Sequence, residues 1–318
     1  MKIIDLIQQN QNDIQISLEY FPPKTPQGIN NLNQRVDKMI NDIQPIFIDL
    51  TWGAGGSSSH QITRQLTQKW HQDFSIPVNM HLTCTNMTLD YLDEILDELY
   101  YKDIQNVVAL RGDECNPDTD SKLTCGLDLV EYMRDKYGDY FCITVAGYPE
   151  GHPDLFKEVD DENLLSDTEK ERMVEYDDIK YVCSDEKYKD SLNYLRRKSD
   201  KADLIITQLF FDCDLYLKFV GDCREIGIKC PILPGIMLIQ NYTGFKKMTK
   251  FCKTKVPDEI SLEIEKLKDN QDDILKYGIE LGQRMSKKLL GEGVKNLHFY
   301  TLNREEPITG ILKIFKNK

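Results

Sequence analysis

A carboxylate interrupts an apolar segment near the start of the chain. Glu19 stands within the residues SLEYFPP, between apolar neighbours. Burying a carboxylate costs free energy unless a partner is present. Partial burial also raises the pKa of a carboxyl and suits it to general acid catalysis. Two interpretations stay open, a general acid and a structural ion pair.

A second group of candidates follows two other apolar runs. Arg111 and Asp113 stand together in the residues ALRGD, and His81 begins the residues HLTC. An arginine and an aspartate at this spacing form either a ligand site or an ordinary ion pair. His81 is either a functional residue or a buried histidine bonded to its neighbours. The residue types alone leave these alternatives open.

Nucleotide-binding fingerprints are missing from the sequence. The residues GAGG at 53–56 lack the third glycine of the dinucleotide motif, and no Gly-Lys-Ser/Thr follows a glycine loop. Ser57, Ser58 and Ser59 come next, and they either cap a helix or contact a phosphate. A bound nucleotide would therefore have to be held by loops of another fold.

Eight short apolar segments rich in β-branched residues recur along the chain. They are residues 14–21, 45–52, 77–84, 106–113, 141–149, 204–211, 230–237 and 297–303. Most are continuous rather than alternating, which is typical of strands covered on both faces. Helical patterns lie between them, for example at 212–227 and 271–290. Eight strand–helix repeats predict an α/β fold, a (βα)8 TIM barrel with extra helices.

Polar residues gather where seven of the eight predicted strands end. They are Glu19, Thr51, His81, Thr83, Arg111, Asp113, Tyr148, His152, Gln208, Tyr300, Asn303 and Arg304. The carboxyl ends of the strands carry the active site in this architecture. The sequence therefore predicts one site that collects these side chains.

Two connections are longer than a minimal barrel needs. Residues 155–186 hold 12 acidic and 4 basic residues, which predicts a solvated, mobile insertion over the barrel mouth. The connection before the last strand holds two helical patterns, at 243–254 and 270–290. We find no linker, so we expect one domain over residues 1–318.

Composition excludes several classes of protein. The formal charge of −13 argues against a nucleic-acid surface. Nine cysteines without metal spacing are expected to be reduced thiols, and we predict no metal site. The sequence shows neither a targeting segment nor a long apolar run, so we expect a cytoplasmic protein without membrane contact.

Several of these motifs together resemble the methylenetetrahydrofolate reductases. The matching segments, in chain order, are LEYFPPKT, HLTC, ALRGD, VAGYPEGHP, ITQLFF, PGI and HFYTLNR. The matching segments extend over nearly the whole chain. Their sequences are more similar to those of eukaryotic members than to those of bacterial members. The resemblance implies a flavin barrel, in agreement with the strand count. It also implies FAD-dependent reduction of 5,10-methylenetetrahydrofolate to the 5-methyl form, with NADH or NADPH as co-substrate, in one-carbon and methionine metabolism.

The resemblance also implies roles for individual residues. Glu19 matches the proton donor, and Asp113 matches an aspartate near both flavin and pterin. Gln208, Met248, Tyr300 and Arg304 match positions that bind the substrates. The implied FAD contacts are Thr51, Trp52, Ala54, His81, Arg111, Gly112, Asp113, Gly126, Tyr148, His152, Arg197 and Lys198.

Some positions depart from the family pattern. Ser191 stands where an acidic FAD contact is usual, with Asp190 before it. Met248 replaces a phenylalanine of the bacterial members, and it can still offer a pliant apolar surface. Gly244 replaces a glutamine, so that polar contact must be absent.

Four expectations concern partners and alternatives. We expect a folate substrate and a homo-oligomer of unspecified size. Eukaryotic relatives continue into a regulatory domain that binds S-adenosylmethionine, and we expect this chain to be the catalytic domain alone. The rival interpretations are another flavin barrel such as a proline dehydrogenase, a folate barrel of the methyltransferase type, and a binding protein without turnover. The presence of Glu19, Asp113 and Gln208 together argues against the last.

Overall fold

The computed structural model describes residues 1–52, 57–112 and 121–315. Twelve strands and twelve α-helices lie within them. The strands are β1 (Gln15–Tyr20), β2 (Phe47–Leu50), β3 (Val78–Thr83), β4 (Asn106–Leu110), β5 (Cys142–Gly147), β6 (Lys157–Glu158), β7 (Val174–Tyr176), β8 (Ile179–Val182), β9 (Leu204–Thr207), β10 (Ile232–Leu233), β11 (Gly235–Met237) and β12 (Asn296–Tyr300). The helices are α1 (Ile3–Gln9), α2 (Pro26–Ile43), α3 (Ser57–Asp73), α4 (Leu89–Tyr101), α5 (Gly126–Tyr137), α6 (Asp167–Arg172), α7 (Asp185–Ser199), α8 (Cys213–Glu225), α9 (Tyr242–Cys252), α10 (Asp258–Leu267), α11 (Gln271–Gly291) and α12 (Glu306–Leu312).

Nine of these strands form one parallel sheet. Their order is β10-β9-β5-β4-β3-β2-β1-β12-β11. The two edge strands, β10 and β11, are halves of one strand position that is interrupted at Pro234, since proline cannot donate a ladder hydrogen bond. The sheet therefore closes on itself with eight strand positions, and the predicted (βα)8 barrel is confirmed.

Each predicted strand is present but shorter than its sequence segment. The apolar run continues past the last ladder residue, so the polar residues at 148, 208 and 304 lie in the loops beyond the strands. A loop gives those side chains positions that a pleated strand would not. The apolar runs therefore located the strands, but most of the runs extend beyond the last residue of the strand.

Helix α1 closes the amino-terminal end of the barrel. Its Ile3 and Ile7 are buried and pack in one cluster with Phe47, Cys142 and Leu204 from the strands. The amide of Ile3 donates to Oδ1 of Asn106 at 2.8 Å. Since this end is closed, a ligand must enter at the opposite end, where the strands finish. The sequence analysis did not predict α1.

The connection before β12 holds three helices rather than the two that the sequence predicted. Helix α10 is the additional one, with Ile260 and Ile264 buried one turn apart. Its ten-residue amphipathic pattern lies between the two predicted helices and was not assigned from the sequence. Helix α9 carries Met248, one of the predicted substrate contacts.

The acidic insertion is a small folded unit. Strands β6, β8 and β7 form a second, antiparallel sheet, with α6 beside it. Arg172, Val174 and Cys183 are buried, although most of the acidic residues are exposed. The hairpin lies against α9, where the ammonium of Lys253 is 3.3 Å from the Tyr181 ring centroid. The insertion therefore packs against the helix that carries Met248. The sequence predicted a solvated insertion and did not predict this contact.

None of the described helices is long and apolar enough to cross a membrane.

The buried arginine of the insertion allows a test of this packing. Arg172 pairs with Asp185 and lies 4.3 Å from the Tyr188 ring centroid, with only 4% of its side chain exposed. We expect Arg172→Ala to lower the free energy of unfolding by about 1–3 kcal/mol, because it removes the contact of the guanidinium with the Tyr188 ring and leaves an unfilled space. Lys187→Ala is the control, since it breaks only the exposed Lys187–Asp190 pair, which is worth under about 0.5 kcal/mol. Chemical denaturation measures both, and equal losses would show that the insertion is not anchored at Arg172.

Candidate active site

Strand register places the first carboxylate beside a second one. Glu19 of β1 lies opposite Asp49 of β2 and opposite Tyr300 of β12. Ser17, two residues before Glu19, lies opposite His298. Side chains two residues apart in a strand point to the same face. Residues 17 and 19 of β1 and residues 298 and 300 of β12 therefore share the barrel interior.

A histidine lies between the two carboxylates. The Nε2 atom of His81 is 3.2 Å from Oδ2 of Asp49 and 3.5 Å from Oε2 of Glu19. Burial alone would lower the pKa of His81, but the hydrogen bond to Asp49 and the charges of both carboxylates raise it above its ordinary value. His81 is therefore held toward its charged form. Neither interpretation of Glu19 made from sequence is excluded by this contact.

His298 reaches the same carboxylates from β12. Its Nε2 atom lies 3.6 Å from Oε2 of Glu19 and 4.0 Å from Oδ2 of Asp49. The ring is fully buried, and its Nδ1 atom is 2.9 Å from the hydroxyl of Ser17. Two imidazoles and two carboxylates thus form one group, called here the interior cluster: Glu19, Asp49, His81 and His298.

Tyr300 spans the barrel beside this cluster. Its hydroxyl donates to the carbonyl of Thr207 in β9 at 2.5 Å. Burial, together with the charges of Glu19 and Asp49, raises the pKa of Tyr300 well above its usual value, so the phenol remains neutral. A Cβ at Gly235 would lie 2.2 Å from the Thr207 carbonyl oxygen and 2.5 Å from the Tyr300 hydroxyl. Glycine is therefore required there for Tyr300 to cross.

The interior cluster opens into a cavity of ≈ 290 Å³ at the carboxyl ends of the strands. Seven residues that the sequence analysis singled out line it: Glu19, Thr51, His81, Tyr148, Gln208, Met248 and Tyr300. Apolar side chains such as Leu209 and Leu302 complete the wall. Met248, on α9, presents the apolar surface expected of it. The cavity thus joins the predicted acid to the predicted substrate contacts.

A second cavity of ≈ 400 Å³ adjoins the first and shares Leu110, Ala146 and Tyr148 with it. It contains five of the predicted FAD contacts: Arg111, Gly126, Tyr148, His152 and Lys198. Asp190 and Ser191 line it too, so an acidic residue reaches this cavity one position earlier than the family pattern predicts. The shared residues place the two cavities side by side at the carboxyl ends of the strands.

Lys198 is the buried cation of the second cavity. Its ammonium donates to the carbonyl of Ala146 at 2.9 Å and lies 5.1 Å from the Tyr194 ring centroid. Burial lowers its pKa to about 8. The cavity also includes Gly126, the first residue of the 12-residue helix α5. A cation and a helix amino terminus together favour an anionic group such as a phosphate.

Other predicted residues lie outside both cavities. Trp52 is buried and stacks on His60 with ring centroids 4.6 Å apart. Gly112, with φ +96°, takes a conformation that favours glycine, and a Cβ there would lie 2.5 Å from Thr85 Oγ1. Arg197 is exposed on α7, next to the buried Lys198. Arg304 lines a separate shallow cavity with Arg35.

The roles expected of two predicted site residues, Ala54 and Asp113, fall outside the described residues. The side chains of Ser57, Ser58 and Ser59 do so as well, which leaves capping and phosphate contact both open.

Asp49 and His298 are the members of the interior cluster that the sequence analysis missed as site residues. Asp49 gave the same signal as Glu19, a carboxylate inside the apolar strand Phe47–Leu50. His298 gave only a weak one, because buried histidines are common in cores. Donor atoms of Glu19, Asp49 and His298 all lie within 4.8 Å of one another, which is close enough to hold one cation. Residues so far apart in the chain gave no metal-binding spacing to find.

The fold and the two cavities define a (βα)8 barrel whose ligand site lies at the carboxyl ends of the strands. Residues 3–316 match the family profile of methylenetetrahydrofolate reductase, and the chain therefore belongs to that family.

Relatives at two distances agree with this membership. Methylenetetrahydrofolate reductase (NADH) 1 of Zea mays is 46% identical over 320 residues, which cover 98% of this chain and 50% of the relative. 5,10-Methylenetetrahydrofolate reductase of Salmonella typhimurium is 30% identical over 296 residues, which cover 93% of this chain and 88% of the relative. The chain thus spans about half the length of the plant relative.

One solved structure shares the fold. It is a Clostridium thermocellum protein described as binding two copies of 5-methyl-5,6,7,8-tetrahydrofolic acid, with a TM-score of 0.61 and 14% identity over 98% of each chain.

The loop after β5 contains a buried carboxyl whose titration can be tested. Burial raises the pKa of Glu150 from 4.5 to about 8, although the Lys255 amide donates to it at 3.3 Å. Between these pH values the folded chain binds one more proton than the unfolded chain, so the free energy of unfolding falls as pH rises. Glu150→Gln keeps an acceptor for Lys255 and removes the titration. We expect its stability to fall less between pH 5 and 8, by up to several kcal/mol, since each pKa unit is worth about 1.4 kcal/mol.

Urea denaturation at several pH values measures this difference. Glu158→Gln, on the exposed strand β6, is the matched control and should keep the slope of the parent chain. Parallel slopes for Glu150→Gln and the parent would show that Glu150 is already ionised in the folded chain.

Proposed function

We propose that this chain catalyses the FAD-dependent reduction of 5,10-methylenetetrahydrofolate to 5-methyltetrahydrofolate with NADH or NADPH. The observation that carries the proposal is the position of Glu19. Its carboxyl is 17% exposed, faces the 290 Å³ cavity and is flanked by two imidazoles. Opening the five-membered ring of the substrate requires a proton, and a partly buried carboxyl facing the cavity is suited to supply one.

The residues of the second cavity fit FAD. Lys198 and the amino terminus of α5 favour its phosphates, and Arg111 adds a cation 44% exposed at the rim. His152 and Tyr148 form an aromatic pair, with ring centroids 4.6 Å apart, where the two cavities meet. FAD bound there would supply the redox chemistry, the transfer of a hydride from the nicotinamide to the folate carbon.

Residues of the chain would bind the ligands and supply the proton. Glu19 gives its proton to the nitrogen that leaves the bridging carbon as the ring opens. Gln208 and Met248, which both line the first cavity, would hold the pterin and, in turn, the nicotinamide. Tyr148 is kept neutral because burial raises its pKa to about 12, so it can donate a hydrogen bond at neutral pH. Asp113 is proposed, on the resemblance alone, to hydrogen-bond the pterin.

Other parts of the proposal rest on family membership. The maize relative is named for NADH, which supports a nicotinamide donor for this chain. The role in methionine metabolism, the cytoplasmic location and homo-oligomer formation are proposed on the resemblance. Because the chain spans only about half the length of the plant relative, the activity named for that relative is carried to this chain as part of the proposal.

Two adjacent residues of α7 test the FAD site. Lys198 is buried in the second cavity and Arg197 is exposed, so Lys198→Met and Arg197→Met remove one positive charge each from neighbouring positions. We expect Lys198→Met to weaken FAD binding about 10- to 100-fold, the worth of one charged hydrogen bond. Arg197→Met should change it less than about 3-fold.

Flavin fluorescence titration of the apoprotein measures both dissociation constants, with thermal melting as the check on folding. If the two variants bind FAD equally well, Lys198 does not face the phosphates. If the parent chain binds no FAD at saturation, the proposed function fails.

The second test concerns Glu19. Glu19→Gln keeps the size of the side chain and removes the proton that opens the ring. We expect folate reduction to slow at least about 100-fold, the lower range for general acid catalysis. Reduction of the flavin by NADH needs no such acid and should change far less. Stopped-flow measurement separates the half-reactions, and equal slowing of both would mean that Glu19 positions the flavin or the strand instead.

A further inference from the structure

The interior cluster contains more titratable groups than one acid needs. Glu19 alone would suffice to protonate a substrate once. Asp49 is fully buried, and its Oδ1 atom has no hydrogen-bond partner among the described residues. His298 is also fully buried, and its Nε2 atom is likewise without a partner there. Unpartnered buried polar atoms are costly, so their retention calls for a purpose.

The geometry around His298 determines which nitrogen carries its proton. Its Nδ1 atom is 2.9 Å from the Ser17 hydroxyl, which can donate or accept. Its Nε2 atom faces Glu19 and Asp49, at 3.6 and 4.0 Å. A lone pair on Nε2 would point at two carboxylates and be repelled. The favoured tautomer therefore has the proton on Nε2, with Nδ1 accepting from Ser17.

The two imidazoles hold the Glu19 carboxyl from two sides. His81 and His298 both direct Nε2 at the same oxygen, Oε2, at 3.5 and 3.6 Å. Asp49 lies between their strands and fixes His81 through a hydrogen bond of 3.2 Å. Glu19 and His81 are both partly exposed and line the cavity, whereas Asp49 and His298 are fully buried. A proton from the cavity can therefore reach Glu19 through His81 without passing through the core.

We propose that Asp49 and His298 are positioning residues for Glu19: they hold its carboxyl beside His81, which returns the proton that Glu19 gives up. The inference rests on the proposed function of Glu19 as the acid. After Glu19 has donated, the Nε2–H bond of the His81 imidazolium breaks and an O–H bond forms at Oε2 of Glu19. His81 becomes neutral and takes its next proton from water in the cavity. The hydrogen bond that His81 donates to Asp49 favours the charged form of His81.

Every described element that packs against the cluster contributes to its titration. The groups facing Glu19 are Asp49 from β2, His81 from β3, and His298 and Tyr300 from β12. Tyr148 and Cys252 face Tyr300 from the loop after β5 and from α9. The two tyrosines and the cysteine stay neutral because burial raises the pKa of each, to about 12 for Tyr148 and Cys252. Asp49 is therefore the anion whose removal should matter most.

The pH dependence of the folate half-reaction tests the role of Asp49. A single-turnover experiment with the FAD-loaded protein isolates that half-reaction. Asp49→Asn removes a negative charge beside His81 and also removes its hydrogen-bond acceptor, which lowers the pKa of His81. The alkaline limb of the rate profile should then move down by about one pH unit or more, the effect of one nearby charge. Thr144→Val is the matched control, since Thr144 is equally buried in the barrel and contacts Asn79 instead of the cluster.

A pair of variants tests His298. His298→Leu removes the Nε2 proton and should slow the folate half-reaction about 10-fold, a part of the effect of general acid catalysis. His298→Gln offers an amide N–H near the same place and should restore most of the rate. If leucine and glutamine are equally slow, His298 only fills space, and the proposal is overturned.

A spectroscopic measurement makes the test independent of turnover. Nitrogen-15 NMR of histidine-labelled protein distinguishes the two tautomers and the charged form. We expect the Nε2–H tautomer for His298 in the parent chain, its loss of preference in Ser17→Ala, and a lower titration midpoint for His81 in Asp49→Asn. The Nδ1–H tautomer for His298 would contradict the proposal. Should His298→Leu fail to fold, Ser17→Ala and Asp49→Asn still test the network.

Failure of this inference is distinguishable from failure of the proposed function. If Glu19→Gln reduces folate at the parental rate, the acid itself is misassigned and the proposed function is revised. If Glu19→Gln is slow but Asp49→Asn keeps the profile of Thr144→Val, only the network is wrong. The pH profile of the folate half-reaction is also measured in the presence of a metal chelator. A shift of that profile on chelation would show that the interior cluster holds a cation rather than a shared proton.

Discussion

Two carboxylates buried inside one barrel set the central constraint on this structure. Glu19 and Asp49 lie on adjacent strands at the same level, so their charges repel each other in a region with little water. Two imidazoles are the only described basic side chains within 4.0 Å of both. Their protons make the burial of Asp49 tolerable and keep Glu19 close to a proton source. The rest of the site is arranged around this compensation.

The barrel supplies that compensation through register. Parallel pairing of β1 with β2 and β12 brings residues from positions 19, 49 and 298 to one level. A shift of one residue in either pairing would turn the histidine or the carboxylate out of the interior. Gly235 then allows Tyr300 to cross to β9 and close the side of the cavity. Chemistry at Glu19 thus depends on strand pairing that is formed by residues distant in sequence.

Local patterns predicted the strands well because fully covered parallel strands are continuous apolar runs. They could not predict where each strand ends, since the apolar run continues into loops that are also buried. Glu19 was found because a carboxylate in such a run is conspicuous. Asp49 is likewise a carboxylate inside an apolar run. The sequence could not show that His81 and His298 would both lie next to it in the folded barrel. The fold of the insertion was not predicted from the sequence. Its few buried residues, such as Arg172 and Val182, are separated by exposed acidic residues and give no clear apolar pattern.

The most direct measurement of this account is a crystal structure of the protein with FAD and 5-methyltetrahydrofolate bound. We expect the folate to occupy the cavity lined by Gln208 and Met248. The Glu19 carboxyl should lie within hydrogen-bond distance of the folate or of one water that bridges the two. His81 and His298 should remain on the opposite side of that carboxyl. A folate bound elsewhere, or a Glu19 side chain turned away from it toward the core, would contradict the assignment of Glu19 as the acid.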